Sequence, residues 1–184
     1  MSLQSGKNLA GVGSILLVVP VPFLGIVGII LVLLGMKNLS QAYNDPSIWK
    51  NTLYAFIFGI IGIIVTSLTL ASLFIGFGSI FSGGFLFGGI IVLVATLVLG
   101  FVFYLLEAIY IRRAFDSLAD KSGVGLFRTG GLLLLIGAVL TIILIGLFLI
   151  FIAWILILVA FFSIPTEMQQ SQMPPPAPPA PPMT

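Results

Sequence analysis

Four long apolar stretches, separated by short polar links, make up most of this chain: Leu9 to Leu34, Leu53 to Ile75, Phe85 to Leu106 and Leu132 to Ile164. A single crossing of a bilayer takes roughly 20 apolar residues at about 1.5 Å rise each, and the two middle stretches suit one crossing apiece. Backbone polar groups in hydrocarbon must be bonded internally, and a helix achieves this without a partner strand. The pattern therefore predicts an all-α, polytopic transmembrane protein.

The end stretches do not fit single crossings. Leu132 to Ile164 holds 33 residues without charge or proline, about 50 Å as a straight helix, more than a core of about 30 Å admits even at strong tilt. A helical hairpin turning near Leu144 to Leu147, where Gly146 lies, relieves the excess. In the first stretch, VVPVPFLG places Pro20 and Pro22 where a crossing helix would have its middle. Val19 and Val21 both precede a proline and are biased out of the α region, and Pro22 suits the first position of a new helix. The first arm, Leu9 to Val19, is then only 11 residues long, about 16 Å. An internal echo supports a shared geometry: Gly13-Ser-Ile-Leu, Pro22-Phe-Leu-Gly and Ile30-Leu-Val-Leu lie without gaps over Gly137-Ala-Val-Leu, Gly146-Leu-Phe-Leu and Trp154-Ile-Leu-Ile. The expected arrangement is six helices, as a hairpin, two central spans and a second hairpin. Four simple spans with both ends outside is the alternative.

Charge placement bears on that choice. With two hairpins, Lys7, Lys37, Lys50, Arg112, Arg113, Lys121 and Arg128 all fall on one side, which the positive-inside rule makes cytoplasmic. Six of them, Lys37 to Arg128, are then placed to meet anionic lipid headgroups. With four spans Lys7 moves to the other face. Both termini are therefore expected in the cytoplasm, and the protein in the cell membrane.

Composition agrees: 60% of residues are hydrophobic and 7% charged, against about 25% charged in soluble domains, and mean hydropathy is +1.30. Cysteine and histidine are absent, which removes disulfides, thiolate chemistry and histidine-ligated metals; no cofactor is expected. No basic stripe with interleaved aromatics points to nucleic acid. The first apolar core exceeds a signal-peptide h-region of about 7 to 15 residues and has no small-x-small cleavage site, so it is expected to stay. One transmembrane domain over 1–165 is expected, followed by a disordered tail over 166–184. In that tail seven of the nine residues Pro174 to Pro182 are proline, with no flanking base to orient a groove-type reader.

Candidate chemistry is sparse. Glu107, directly after Leu106 and followed by Ala-Ile-Tyr-Ile, is the one charged residue set into an apolar run, a functional hypothesis by default. The plainer reading is a carboxylate near the end of its span, five residues from Arg112, reaching water or that base. Thr66, Ser67, Thr69 and Ser72 form a hydroxyl-rich patch that could line an ion path, although such hydroxyls more often bond back to their own helix. Gly84-Phe-Leu-Phe-Gly88 is a GxxxG and predicts close helix packing, within one chain or in a homo-oligomer. Asp116 and Asp120, at i,i+4, are the nearest approach to a paired-carboxylate metal site; a solvated face is the better reading, and no metal is expected. Asp45 and Pro46 suit a helix N-cap and first helical position.

KNLAGVGSILL, LVLLGMKNLS, FRTGGLLLLIGAVLTIILIG and IAWILILVAFFSIP together resemble a prokaryotic, largely archaeal, integral membrane family catalogued as a domain of unknown function, number 996. The resemblance reaches Pro165 and leaves out the glycine-rich middle link and the Pro-rich tail. It implies a location and a shape and carries over no catalytic residue. The expectation is a non-enzymatic structural or accessory membrane protein, with lipids and other membrane proteins as partners. A small oligomeric transporter or channel using Glu107 and the hydroxyl patch is the alternative.

Overall fold

The computed structural model describes residues 3–19, 21–80 and 88–165. They form six α-helices: α1 (Leu3–Val18), α2 (Pro22–Ala42), α3 (Pro46–Ile80), α4 (Gly88–Ser122), α5 (Leu126–Leu140) and α6 (Ile145–Phe162), with one 3-10 turn at Thr141–Ile143 between the last two. Five are long and apolar enough to cross a membrane; α1, at 16 residues, is not. The protein is thus an all-helical membrane protein built as hairpin, two long central helices and hairpin.

Each helix packs on the next in sequence, and α6 packs back on α1, so the six close into a ring. Among the described residues helices that are not neighbours in this ring keep their backbones apart and meet only through side chains at its centre, as Phe115 of α4 and Phe161 of α6 do. Four contacts place both ends and both polar loops at one end of it, called basal below. Lys7 Nζ donates to the carbonyl of Ile164 at 3.0 Å, Ser47 Oγ to Ser117 Oγ at 3.1 Å, Lys121 Nζ lies 4.0 Å from Asp45 Oδ2, and Gly131 sits against Arg112. There the centre of the ring is filled. Phe115, Phe127 and Phe161 are fully buried and meet ring to ring at 4.9 to 6.2 Å, with Met36, Leu39, Ile48 and Leu118 buried around them.

Both terminal hairpins are held by small residues seven apart, the spacing that keeps one seam of a helix facing an antiparallel neighbour. On α1 Gly13 meets Gly28 of α2, Ala10 meets Gly35, and Gly6 lies against Leu39; on α5 Gly130 meets Ala153 and Ile157 of α6, and Gly137 meets Gly146. Gly6, Gly13, Gly28, Gly35, Gly130, Gly137, Gly146, Ala153 and Ala160 are all buried. A Cβ at Gly13 would lie 2.7 Å from the carbonyl oxygen of Gly28. At Gly146 it would collide with the carbonyl oxygen of Gly137. The 124-residue offset of the sequence echo also carries Gly6 onto Gly130, and it brings the starts of α1 and α2 within one residue of those of α5 and α6.

The reversals differ from expectation in detail. In the first, Val21 is extended (φ −118°, ψ 114°) and Pro22 opens α2, as the bias before proline demands; Pro20 lies outside the described residues. In the second, the chain turns over Thr141 to Leu144, with Leu144 left-handed at φ 62°. Gly146 is not the turning residue: it is the second residue of α6, and its lack of a side chain serves the contact with Gly137. The first arm also starts earlier than expected, at Leu3, because Lys7 and Asn8 are helical.

The hairpins are shorter than the pair they flank. The hydroxyls of Tyr104 and Thr141 face each other, so the second tip lies beside Tyr104. From Phe103 back to Gly88, α4 continues for 16 residues, about 24 Å. There Ile91, Val92, Val94, Leu97 and Val98 are exposed, as lipid-facing side chains are. The glycine-rich link begins later than the sequence suggests, since α3 runs on to Ile80; in hydrocarbon a helix keeps its backbone bonded where a loop would not.

Candidate functional site

Above the basal phenylalanines the centre of the ring is hollow. A cavity of about 410 Å³ is lined by residues from all six helices, almost all of them aliphatic or aromatic. Its lining reaches Leu17, one residue from the end of α1, and Tyr104, beside the second tip. The hollow therefore extends to the depth at which the hairpins end.

Glu107 of α4 points into this space. Glycine at position 59 makes room for it: a Cβ there would stand 3.0 Å from Cδ of Glu107 and 3.1 Å from both carboxyl oxygens. Among the described residues no hydrogen bond or ion pair reaches the Glu107 carboxyl. Arg112, the expected partner, instead sets its Nε 3.7 Å from Asp116 Oδ2. Tyr104 joins Glu107 in the lining, whereas Tyr110 stacks on Phe58 at 5.4 Å and meets Tyr54 edge-on at 5.3 Å between ring centres. Sequence reasoning missed Trp154, Phe56 and Thr52, which complete the polar and aromatic part of the wall. The Thr52 hydroxyl is committed to the carbonyl of Ile48 at 2.7 Å.

The hydroxyl patch is divided. Thr66 and Thr69 line a second cavity of about 190 Å³ between α3 and α4, with Thr96, Gly100 and Tyr104. Thr69 also donates to the carbonyl of Val65 at 2.9 Å and Thr96 to that of Val92 at 2.9 Å. Ser67 is exposed on the outer face, and the Ser72 side chain is outside the described residues. Of the GxxxG, Gly84 is also outside them and Gly88 is the first residue of α4.

The basic residues sit at the basal end, each with a partner. Lys37 lies over the ring of Trp49 at 5.6 Å, Lys50 over Tyr54 at 6.0 Å and Arg113 over Tyr110 at 5.4 Å. Lys121 faces Asp45, and Arg128 Nη2 meets Asp120 Oδ1 at 2.5 Å. Asp116 and Asp120 thus face separate bases, and among the described residues no three acids gather as a metal site would need. Asp45 caps α3: its Oδ1 accepts from the Ser47 backbone N–H at 2.9 Å and the Ser47 hydroxyl at 2.6 Å. That hydroxyl bond, more than the backbone bond or Lys121, holds the Asp45 carboxyl below its usual range against the opposing effect of burial. Burial pushes the Tyr43 phenol in the same loop up to about 12.

Comparison with known proteins places this architecture. A family model described as "Protein of unknown function (DUF996)" matches residues 24–155, running through the glycine-rich link that the resemblance had left out. Uncharacterized protein MJ1644 of the archaeon Methanocaldococcus jannaschii is 31% identical over 175 residues, which is 92% of this chain and 97% of that protein. No solved structure matches. The family match covers well over half of the chain and the archaeal relative nearly all of it, so the chain belongs to the DUF996 family of membrane proteins.

Proposed function

We propose that the protein is a non-catalytic accessory component of the cell membrane, acting through lipids and neighbouring membrane proteins, with its basal end and both termini in the cytoplasm. The observation that carries this reading is the filled base. Phe115, Phe127 and Phe161 pack together beneath the hollow, which among the described residues sets buried apolar rings between the charged end and Glu107. Around Glu107 no nucleophile and base come together among the described residues, which is why a catalytic role is not proposed. The cytoplasmic orientation follows from the bases gathered at one end.

A second reading, a small oligomeric transporter or channel, draws on one feature: Tyr104 borders both the Glu107 hollow and the threonine-lined cavity deeper between α3 and α4. Reconstitution in liposomes separates the two. The accessory reading expects no flux of ions or small solutes and co-purification of defined neighbours from native membranes. Flux abolished by Glu107→Gln, with expression intact, replaces it with the transporter. For orientation, cysteines engineered as Ser5→Cys and Gln172→Cys are expected to react only with reagent admitted to the cytoplasmic side. Labelling of both from outside refutes the cytoplasmic orientation.

A further inference from the structure

We infer that the hollow at the centre of the ring is a binding site for a lipophilic organic monocation, an ammonium or similarly diffuse cation on an apolar body, with Glu107 as its counter-ion. This goes beyond the accessory reading and holds whether or not the ligand is moved across the membrane. A volume of about 410 Å³ is that of a site for a small organic molecule, and such sites are mostly apolar with a few placed polar groups.

The wall chooses the charge. Among the described residues Glu107 is the only acid or base lining the hollow, the other titratable side chain being Tyr104; α1, α2, α3, α5 and α6 contribute no charged residue to it. A carboxylate in so apolar a place is costly unless a cation joins it, and the base nearest in sequence, Arg112, is engaged by Asp116. A hydrated metal ion is a poor occupant, because it needs about six or more oxygen ligands or retained waters and the wall offers one carboxylate and few hydroxyls. A weakly hydrated organic cation needs no such shell and gains from aromatic faces. Tyr104, Trp154 and Phe56 supply them.

The position of the hollow chooses the apolar body. The buried phenylalanines block it from the basal end, while its lining runs up to the hairpin tips, from which the central pair continues about 24 Å further. A ligand arrives from the bilayer, so it must dissolve there.

The test uses the full chain in nanodiscs of zwitterionic lipid. The protein has two tryptophans, so a Trp49→Phe background leaves Trp154 as the reporter inside the site. Dodecyltrimethylammonium, held below its micellar concentration, is titrated against dodecanol, its neutral counterpart. A saturable change in Trp154 emission with the cation is expected, with dodecanol at least about tenfold weaker, since the lost charge pair is worth that factor or more. Glu107→Gln is expected to weaken the cation at least about tenfold and leave dodecanol unchanged, while Glu107→Asp, which keeps the charge, retains most of the cation affinity. Dodecanol binding as tightly as the cation, or the Gln and Asp variants binding the cation equally, overturns the proposal and leaves a site for neutral alkyl chains. Should the Gln variant fail to fold, the comparison of the two probes on the unaltered protein decides by itself.

Discussion

The two terminal hairpins reach one geometry by different backbone means. The first reverses at a proline-bracketed valine, with Val21 extended and Pro22 opening α2. The second has no proline and reverses through a leucine in the left-handed region. What they share is the seam: glycines seven apart on the outgoing arm, small residues seven apart on the returning one. The contrast teaches that the packing of the arms, and not the chemistry of the turn, specifies these hairpins. In hydrocarbon there is no hydrophobic force between helices, and close van der Waals contact between small residues takes its place.

The hairpins also differ at their base, where the largest effect is expected. Phe127 is fully buried in the aromatic cluster, whereas Leu3, its counterpart at the 124-residue offset, is only partly buried at the edge of the core. Phe127→Ala is expected to cost about 3 to 5 kcal/mol and Leu3→Ala a small fraction of that, read as thermal unfolding in detergent. Next come the seams: Gly13→Leu and Gly137→Leu should each cost about 3 kcal/mol by overpacking, with comparable losses of monodisperse protein. If Gly13→Leu is tolerated and Gly137→Leu is not, the prolines rather than the seam hold the first hairpin.

Smaller effects sharpen the contrast of the turns. Leucine in the left-handed region costs roughly 1 to 2 kcal/mol, so Leu144→Gly is expected to stabilise by about 1 kcal/mol, less what glycine gains when unfolded. The junctions differ too: Asp45 caps α3, whereas Gly125 before α5 makes no side-chain cap bond. Asp45→Ala is expected to cost about 1 kcal/mol at neutral pH. Because folding lowers the Asp45 pKa, that contribution is complete above the unfolded value and fades as pH falls through the folded one. The penalty of the alanine variant should therefore shrink in acid. Smallest, Pro22→Ala should cost about 0.5 kcal/mol through the unfolded chain.

Much of this fold was legible in the residues. A 33-residue uncharged run that cannot cross once, and prolines that bias two valines out of the helix, announced both hairpins. The left-handed Leu144 was not legible, because no local preference puts leucine there; the fit of α5 on α6 imposes it. Nor was the isolation of Glu107. Arg112 looks close in sequence, but five residues turn a helix by about 140° beyond a full circle, so the two side chains leave α4 on different sides. Asp116, one turn beyond Arg112, takes the base. The small residues at intervals of seven were in plain view and would have predicted which faces meet. That the ring closes through α1 and α6 was not, since no local pattern records which distant helices meet.

That closure has a consequence for how the protein is made. The seal between α1 and α6, which includes Lys7 on the carbonyl of Ile164, joins the first helix to the last. A ribosome emits the N-terminal hairpin long before its closing partner exists. Until α6 is inserted, the glutamate in the middle of α4 stands in an open groove with lipid along one flank. The hollow gains its last wall, Ile150 and Trp154, only as synthesis nears its end, and a chain cut before Ile145 carries every residue of α4 without it.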